Sequence, residues 1–239
     1  MSSKEITLTS ELRGDYGELF YKVYNYKKNV KIEDVSKDKE YQHKDIDFIV
    51  NGLGVEIKTD AIAQFSGNFV NEGFCQVKNY NKSLLLPSVY AFKDLEKMQT
   101  NDMFPAGFML KTQADILFCL NVQEKFNQKN YFRLNFREID GAKVKAHVVY
   151  EVNAKQLKEH LYKTSYNYFW VHHDDENVNN FVSLLQFENI LVNKGFAKSI
   201  DEEVLSVIGS DKKLMKFLNE YHNTQEFREF IIENHPEIC

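Results

Sequence analysis

Two different periods of hydrophobic and polar positions follow one another along this 239-residue chain. Between about residues 11 and 26 the apolar side chains recur at helical spacing, which predicts an amphipathic helix with Thr9 or Ser10 as its cap. Within residues 48–57, two short β-branched and aromatic runs flank an Asn-Gly-x-Gly centre of turn-forming residues. That pattern predicts a β-hairpin directly after the helix.

Segments with strand-like and helix-like patterns continue through the rest of the chain. Strand patterns occur at residues 69–77, 116–122, 131–137, 144–152 and 166–171. Helical spacing predicts short helices at residues 87–99 and 153–161, and helices from residue 177 onward. Because no Gly- or Pro-rich linker divides the chain, we expect an α/β core over residues 1–175 with a helical C-terminal extension over residues 176–239.

Composition and cysteine usage limit the class of protein. The chain is 43% hydrophobic and 27% charged with only three prolines, which is typical of a folded globular protein. Its three cysteines are widely spaced without a Cys-x-x-Cys pair, which favours a reducing compartment. The sequence has neither an apolar run as long as a membrane span nor a signal-peptide core at its start. We therefore expect a cytoplasmic protein that does not enter a membrane.

The net charge of −5 is unusual for a protein that binds nucleic acid. Its distribution weakens the objection. Residues 198–239 contain five basic and nine acidic side chains, a balance of −4, which leaves −1 for residues 1–197. Residues 120–165 contain nine basic and five acidic side chains, a balance of +4. A nucleic-acid substrate is therefore compatible with the charge but not indicated by it.

Three charged residues at the predicted hairpin carry the most informative chemistry. Glu56 and Lys58 are two residues apart on the second strand and so share one face. Folding of the hairpin brings Asp47, at the start of the first strand, towards them. Hard cations such as Mg²⁺ bind carboxylate oxygens, and a nearby lysine can orient a water. The pattern predicts a metal-dependent phosphodiesterase, with Asp45 as the alternative to Asp47 as ligand.

An Asp, a hairpin and then Glu-x-Lys resemble the core signature of the PD-(D/E)XK nuclease superfamily, although Ile46 stands where the family usually has proline. Residues 66–72 look like a Ser/Thr-Gly-Asn…Glu segment, and residues 107–116 like a Gly…Lys-Ser/Thr…Ala-Asp strand. Both segments occur in one group of this superfamily, with many members from bacteriophages. The resemblance covers roughly residues 11–122.

The resemblance implies a restriction-endonuclease-like core, which is a central mixed β-sheet flanked by helices. It also implies hydrolysis of DNA with Mg²⁺, for which Mn²⁺ would substitute, more by internal cuts than from ends. In this mechanism Asp47 and Glu56, with the carbonyl of Ile57, hold one or two metal ions. Lys58 positions the attacking water or stabilises the transition state.

Further residues extend the predicted site. Glu18 stands where such nucleases often have a helix glutamate that helps to hold metal, the alternative being an exposed ion pair with Lys22 four residues on. The resemblance suggests a substrate-binding or supporting role for Asn68. Lys111 and Gln113 would share one strand face and contact phosphate, a solvated strand edge being the alternative.

Two alternatives remain open from the sequence. A catalytically inactive protein with the same fold would bind nucleic acid or another protein. The run from Gln76 to Tyr80 matches the Gln-x-x-x-Tyr element of RecB-like exonucleases, which conflicts with the assignment of residues 66–72. In every case the C-terminal helices would offer a surface for a homodimer or a protein partner.

Overall fold

The computed structural model describes residues 3–60, 68–78, 89–91, 108–126, 130–134, 136–139, 142–147, 149–163, 168–175, 178–186 and 194–208. Its helices are α1 (Ser3–Lys27), α2 (Lys39–Gln42), α3 (Phe108–Lys111), α4 (Ala154–Lys163) and α5 (Asp201–Ile208). Its strands are β1 (Ile32–Asp34), β2 (Phe48–Val50), β3 (Leu53–Asp60), β4 (Asn68–Lys78), β5 (Val89–Ala91), β6 (Ile116–Phe126), β7 (Asn130–Leu134), β8 (Phe136–Ile139), β9 (Ala142–His147), β10 (Val149–Asn153), β11 (Tyr168–Asp175), β12 (Val178–Gln186) and β13 (Ala197–Ser199).

Among the described residues, six strands form a mixed sheet in the order β1-β2-β3-β6-β10-β13, and β7 pairs with the far end of β6. The β1-β2-β3 part is antiparallel, β3 and β6 run parallel, and β10 is antiparallel to both of its neighbours. A second sheet of the described part has the order β4-β12-β11-β5, and β8 pairs with β9. The predicted α/β class is confirmed.

The predicted hairpin is confirmed with a tight turn. Phe48 pairs with Val55, and the chain reverses at Asn51 and Gly52, whose φ angles are 52° and 80°. Positive φ at both central residues defines the type I′ turn, which Asn-Gly favours because neither residue resists that conformation strongly. Gly54, predicted as part of the turn, lies within β3 instead.

Helix α1 packs across the middle of the main sheet, where its aromatic residues meet those of β2 and β6. Tyr21 lies edge-on to the Phe118 ring at 4.7 Å between centroids, and its ring is 5.2 Å from that of Phe48. The core also contains Tyr16, Leu19, Phe20, Val23, Tyr24, Val55, Ile57, Leu120, Val149, Ile200, Val204 and Ile208. Helix α5 contributes the last two of these, so it belongs to the same core as α1 and the sheet.

Gly17 allows α1 to approach β3 closely. A Cβ atom at this position would lie 1.9 Å from Oγ1 of Thr59 and 3.0 Å from Cγ2 of Ile57. By contrast, a Cβ atom at Gly14, one turn earlier, would have no neighbour within 4 Å. The glycine therefore fixes the spacing between the helix and the central strand.

We expect Gly17→Ala to lower the free energy of unfolding by about 1–3 kcal/mol, because the added methyl overfills the contact with Thr59. Gly14→Ala is the matched control, and its higher helix propensity should stabilise the protein by about 0.5–1 kcal/mol. Urea denaturation of both variants measures the two effects. Stabilisation by both substitutions would contradict the close approach.

Several predicted elements differ from the observed ones. Helix α1 begins at Ser3, so Thr9 and Ser10 lie inside the helix and do not cap it. The segment predicted as helix 87–99 contains strand β5, and the remainder of that segment lies outside the described residues. The strand predicted at residues 131–137 is divided between β7 and β8, which pair with different strands.

The helical prediction for residues 177 onward is wrong at β12. Phe181, Leu184 and Leu185 have helix-like spacing, but the strand that contains them pairs with β4 on one side and β11 on the other. Short apolar runs do not distinguish a central strand from a helix, and pairing with distant strands decides here. Residues 197–199 are also strand, whereas α5 is helical as predicted. The division at residue 175 stays a prediction.

The predictions for residues 116–122 and 153–161 are confirmed by β6 and α4. Asn153 caps α4, since its side-chain oxygen accepts a hydrogen bond of 2.9 Å from the amide of Gln156. Within the described ranges, no helix combines the length and the apolar character that crossing a membrane requires.

Candidate active site

The hairpin register brings Asp47 and Glu56 together. Asp47 directly precedes Phe48, the residue that pairs with Val55, so it lies beside the Val55–Ile57 part of β3, close enough for the Glu56 charge to act on it. The Asp47 amide donates to the Val55 carbonyl at 2.9 Å, and Oδ2 of Asp47 accepts a hydrogen bond of 2.8 Å from the Ile57 amide. The Asp47 carboxylate is therefore held against β3 by the backbone, which gives it a fixed position.

Alternation along β3 separates core residues from charged ones. Val55 and Ile57 face α1 in the core, so Glu56 and Lys58 face the opposite side. Nζ of Lys58 contacts Oε1 of Glu56 at 2.5 Å, and Glu56 is only 7% exposed. Nζ of Lys58 also lies 4.3 Å from the centre of the Phe108 ring, on α3. The predicted convergence of two carboxylates and an ammonium is present.

The pKa of the Asp47 carboxyl group is strongly raised. Burial raises it to about 8, and the negative charges of Glu56 and Glu18 act in the same direction. The hydrogen bond from Ile57 and the charge of Lys58 lower this pKa, but they do not outweigh burial. Burial also opposes the charge on Lys58, yet Glu56 and the two nearby aspartates, Asp45 and Asp47, raise the pKa of that ammonium. The site therefore favours an additional positive charge.

Glu18 reaches the same electrostatic environment from α1. Burial raises the pKa of Glu18, whereas Lys37 and Lys22 lower it. The alternative ion pair with Lys22 is not formed, because Nζ of Lys22 lies 2.5 Å from Oδ2 of Asp34 instead. Glu18 is partly buried next to Gly17, the residue at the close contact with β3. Its role as a metal ligand stays a prediction.

The donor set fits a cation only in part. Asp47 and Glu56 offer oxygen atoms of the kind that Mg²⁺ prefers, and the Ile57 backbone lies between them. However, in the part of the chain that the structure describes, no three carboxylate, thiol or imidazole groups are close enough to hold a metal ion by themselves. Glu18 thus does not close a three-carboxylate site in this arrangement. Two carboxylates, a backbone carbonyl and water remain as a ligand set.

The residues predicted to contact substrate lie in different settings. Lys111 ends α3, and Gln113 is an exposed residue of the loop after it, so the prediction that both share a strand face is wrong. Nζ of Lys111 lies 2.6 Å from Oδ1 of Asp45, beside the candidate site. Asn68 begins β4, a strand of the second sheet whose backbone passes α3. Its side chain lies outside the described residues.

Two residues that position the site had no assigned role in the sequence. Phe108 is the ring beside Lys58, and no local pattern connects residues 50 positions apart in the chain. Asp115 exchanges two hydrogen bonds with Gly54: its amide donates to the Gly54 carbonyl at 2.8 Å, and its Oδ2 accepts from the Gly54 amide at 2.9 Å. This exchange ties the hairpin to the start of β6. For Asp115, the sequence offered one signal, the Ala-Asp pair at residues 114 and 115 within the segment that resembles the family.

Comparison with protein-family models, with curated proteins and with solved structures found no match to this chain. The functional argument therefore depends on the residues and on the geometry that they adopt.

Proposed function

We propose that this protein is a Mg²⁺-dependent nuclease of the PD-(D/E)XK type that hydrolyses phosphodiester bonds within DNA. The proposal is carried by one observation, the convergence of Asp47, Glu56 and Lys58 on one face of the hairpin. The raised pKa of Asp47 adds support, since perturbed pKa values cluster at functional sites.

The order of the elements supports the same superfamily. A long helix, α1, precedes the antiparallel strands β1-β2-β3, and the chain then crosses over to β6, which is parallel to β3. A mixed sheet covered by the first helix is what a restriction-endonuclease-like core requires. The fold class alone would leave many functions open, so the site residues remain the main argument.

Each residue has a chemical role in this proposal. Asp47 and Glu56 bind the cation, and the Ile57 amide keeps the Asp47 carboxylate in place. A divalent cation held by these residues would acidify a bound water and offset charge on the phosphate. Lys58 donates hydrogen bonds to the water or to a phosphate oxygen as negative charge develops. The Phe108 ring limits the directions in which that ammonium can point.

The rival function is a catalytically inactive protein that binds nucleic acid or a protein partner. The 2.5 Å contact between Lys58 and Glu56 favours this rival, because an ammonium already balances one of the two carboxylates. A cation must share Glu56 with Lys58 or replace it there. Activity and cation binding therefore have to be measured separately.

Supercoiled plasmid incubated with the protein and Mg²⁺ or Mn²⁺ tests the proposal. We expect nicked and linear products from wild type and a loss of at least about 100-fold in rate for Glu56→Gln. Because closed circular DNA has no ends, cleavage would also identify an endonuclease. Calorimetric titration with Mn²⁺ should give a weaker affinity for the same variant.

Glu151→Gln is the matched control. Glu151 also forms an ion pair with a lysine, its Oε2 lying 2.6 Å from Nζ of Lys198, but at the opposite edge of the main sheet. This control should cut DNA as wild type does. Intact plasmid after incubation with wild type and either cation, together with no binding of Mn²⁺, would overturn the nuclease proposal.

A further inference from the structure

The ion pair between Asp45 and Lys111 joins two loops that are distant in sequence and adjacent to the candidate site. Nζ of Lys111 lies 2.6 Å from Oδ1 of Asp45. Lys111 ends α3, the short helix whose first residue, Phe108, has its ring centre 4.3 Å from Nζ of Lys58, and the charge of Asp45 also acts on Lys58. Lys111 is therefore next to the position where a phosphodiester would meet Lys58.

The backbone fixes the two loops in this position. The Gln113 amide donates to the Lys44 carbonyl at 2.7 Å, and Oγ1 of Thr112 donates to the Asp45 carbonyl at 3.3 Å. From the other side, Nζ of Lys158 on α4 donates to the Thr112 carbonyl. Because the backbones are tied independently of the ion pair, the Lys111 side chain can leave Asp45 without separating the loops.

The backbone of Asp45 has a positive φ angle, a conformation that does not require an aspartate. Its φ angle is 48°, and it ends the turn that follows α2, where the Ile46 amide donates to the Tyr41 carbonyl at 3.2 Å. Glycine is the residue that most readily adopts positive φ at the end of a helical turn. Asparagine and aspartate are the other residues that adopt it readily, so this turn accommodates Asp45 and keeps its carboxylate beside Lys111.

The two partners differ in exposure. The Asp45 side chain is 15% exposed, and its Oδ2 is buried without a hydrogen bond from any residue that the structure describes. The Lys111 side chain is 39% exposed. The Lys111 side chain can therefore turn towards another anion in the solvent, and the mostly buried Asp45 carboxylate loses one positive neighbour when it does. Asp45 would then keep a positive neighbour in Lys58.

We propose that Lys111 pairs with Asp45 in the free protein and exchanges this partner for a phosphate group when a nucleic acid binds. The proposal rests on the nuclease function argued above and assigns its phosphate-contacting residue outside the metal-binding carboxylates. Asp45 is then a positioning residue for Lys111 and not a metal ligand. Competition between carboxylate and phosphate for one ammonium makes binding weaker than it would be with a free lysine.

Binding of a labelled 20-base-pair DNA duplex in EDTA tests this exchange without cleavage. We expect Lys111→Met to weaken binding about 3- to 10-fold and to reduce the salt dependence by about one phosphate contact. Asp45→Asn should strengthen binding about 2- to 5-fold, since asparagine tolerates the same backbone conformation and releases Lys111.

The double variant separates release of Lys111 from a general loss of negative charge. If Asp45 acts through Lys111, the double variant binds as Lys111→Met does, and the effect of Asp45→Asn disappears. The control Glu151→Gln, which removes a carboxylate from the other ion pair of the same length, should leave binding unchanged. Tighter binding by Asp45→Asn in the absence of Lys111 would overturn the proposal.

The outcomes are distinguishable from those for the nuclease function. Plasmid cleavage by wild type, combined with unchanged duplex binding in all the Asp45 and Lys111 variants, overturns the exchange and leaves the nuclease proposal intact. The expected pattern of duplex binding, combined with intact plasmid and no binding of Mn²⁺, supports the exchange and overturns the nuclease. A loss of Mn²⁺ affinity in Asp45→Asn as large as that in Glu56→Gln would make Asp45 a metal ligand and overturn the exchange.

Discussion

Lys58→Met should cleave DNA about 10²–10³-fold more slowly than wild type, while its fold and its affinity for Mn²⁺ are retained. The loss has this size because the ammonium acts on charge that develops only in the transition state. Methionine keeps an apolar stem near Phe108, so the surrounding packing changes little. Removal of the ammonium also frees Glu56, and cation affinity should therefore stay the same or rise. Single-turnover cleavage and Mn²⁺ titration measure the two properties.

Lys198→Met is the matched control for this variant, since Lys198 also pairs with a glutamate, at the far edge of the sheet. It should cleave at the wild-type rate. A loss of Mn²⁺ binding together with activity in Lys58→Met would indicate that the lysine maintains the site and does not act on the transition state. Equal rates for wild type and Lys58→Met would contradict the proposed role.

The part of the site that is local in sequence could be predicted from the sequence. Asn51 and Gly52 favour one turn type, that turn fixes the register of the hairpin, and the hairpin brings Asp47 against β3, where its side chain accepts from the Ile57 amide. Only the alternation of a strand is then needed to bring Lys58 to the same face. Each step depends on residues within 12 positions of one another.

Contacts between distant segments could not be predicted in the same way. Phe108 and Lys111 lie on a helical turn, whereas the family resemblance implied a strand over residues 107–116. The turn ends where Thr112 and Gln113 bond to the loop around Asp45, a contact that no periodicity encodes. The sequence left open whether Asp45 or Asp47 is the metal ligand. In the structure the two side chains have different partners, since Asp47 bonds to the β3 backbone and Asp45 pairs with Lys111.

The predictions of helices and strands were wrong where the apolar spacing fitted more than one element. The apolar residues of β12 fit both periods, and pairing with β4 and β11 selects the strand. Helix α1 begins at Ser3, eight residues before the start that the sequence pattern predicted. Gly17, by contrast, gives no hydrophobic signal, although it sets the distance between α1 and the strand that carries Glu56. The site thus depends on packing that composition does not reveal.

Asp47→Asn should stabilise the cation-free protein at pH 8 by about 2–4 kcal/mol, because each pKa unit corresponds to about 1.4 kcal/mol and some relaxation reduces the effect. Burial raises the pKa of Asp47 to about 8, so between about pH 4 and pH 8 the folded protein holds a proton that the unfolded chain has released. This group therefore makes stability fall as the pH rises through that window. Asparagine removes the effect and still accepts the hydrogen bond from Ile57. Urea denaturation from pH 4 to pH 8.5 measures the difference between variant and wild type, which should grow with pH.

Asp34→Asn provides a control of opposite sign. Burial opposes the charge of Asp34, but hydrogen bonds from Lys22 and Ser36 lower its pKa, so this carboxylate adds stability that is lost only as the pH falls. Its removal should destabilise the protein at pH 8 and matter less in acid.

Saturating Mg²⁺ should then raise the stability of wild type more than that of Asp47→Asn, because the cation replaces the proton on Asp47. A variant that is less stable than wild type at pH 8, or that gains equally from Mg²⁺, would show that Asp47 is a structural carboxylate and not a cation ligand.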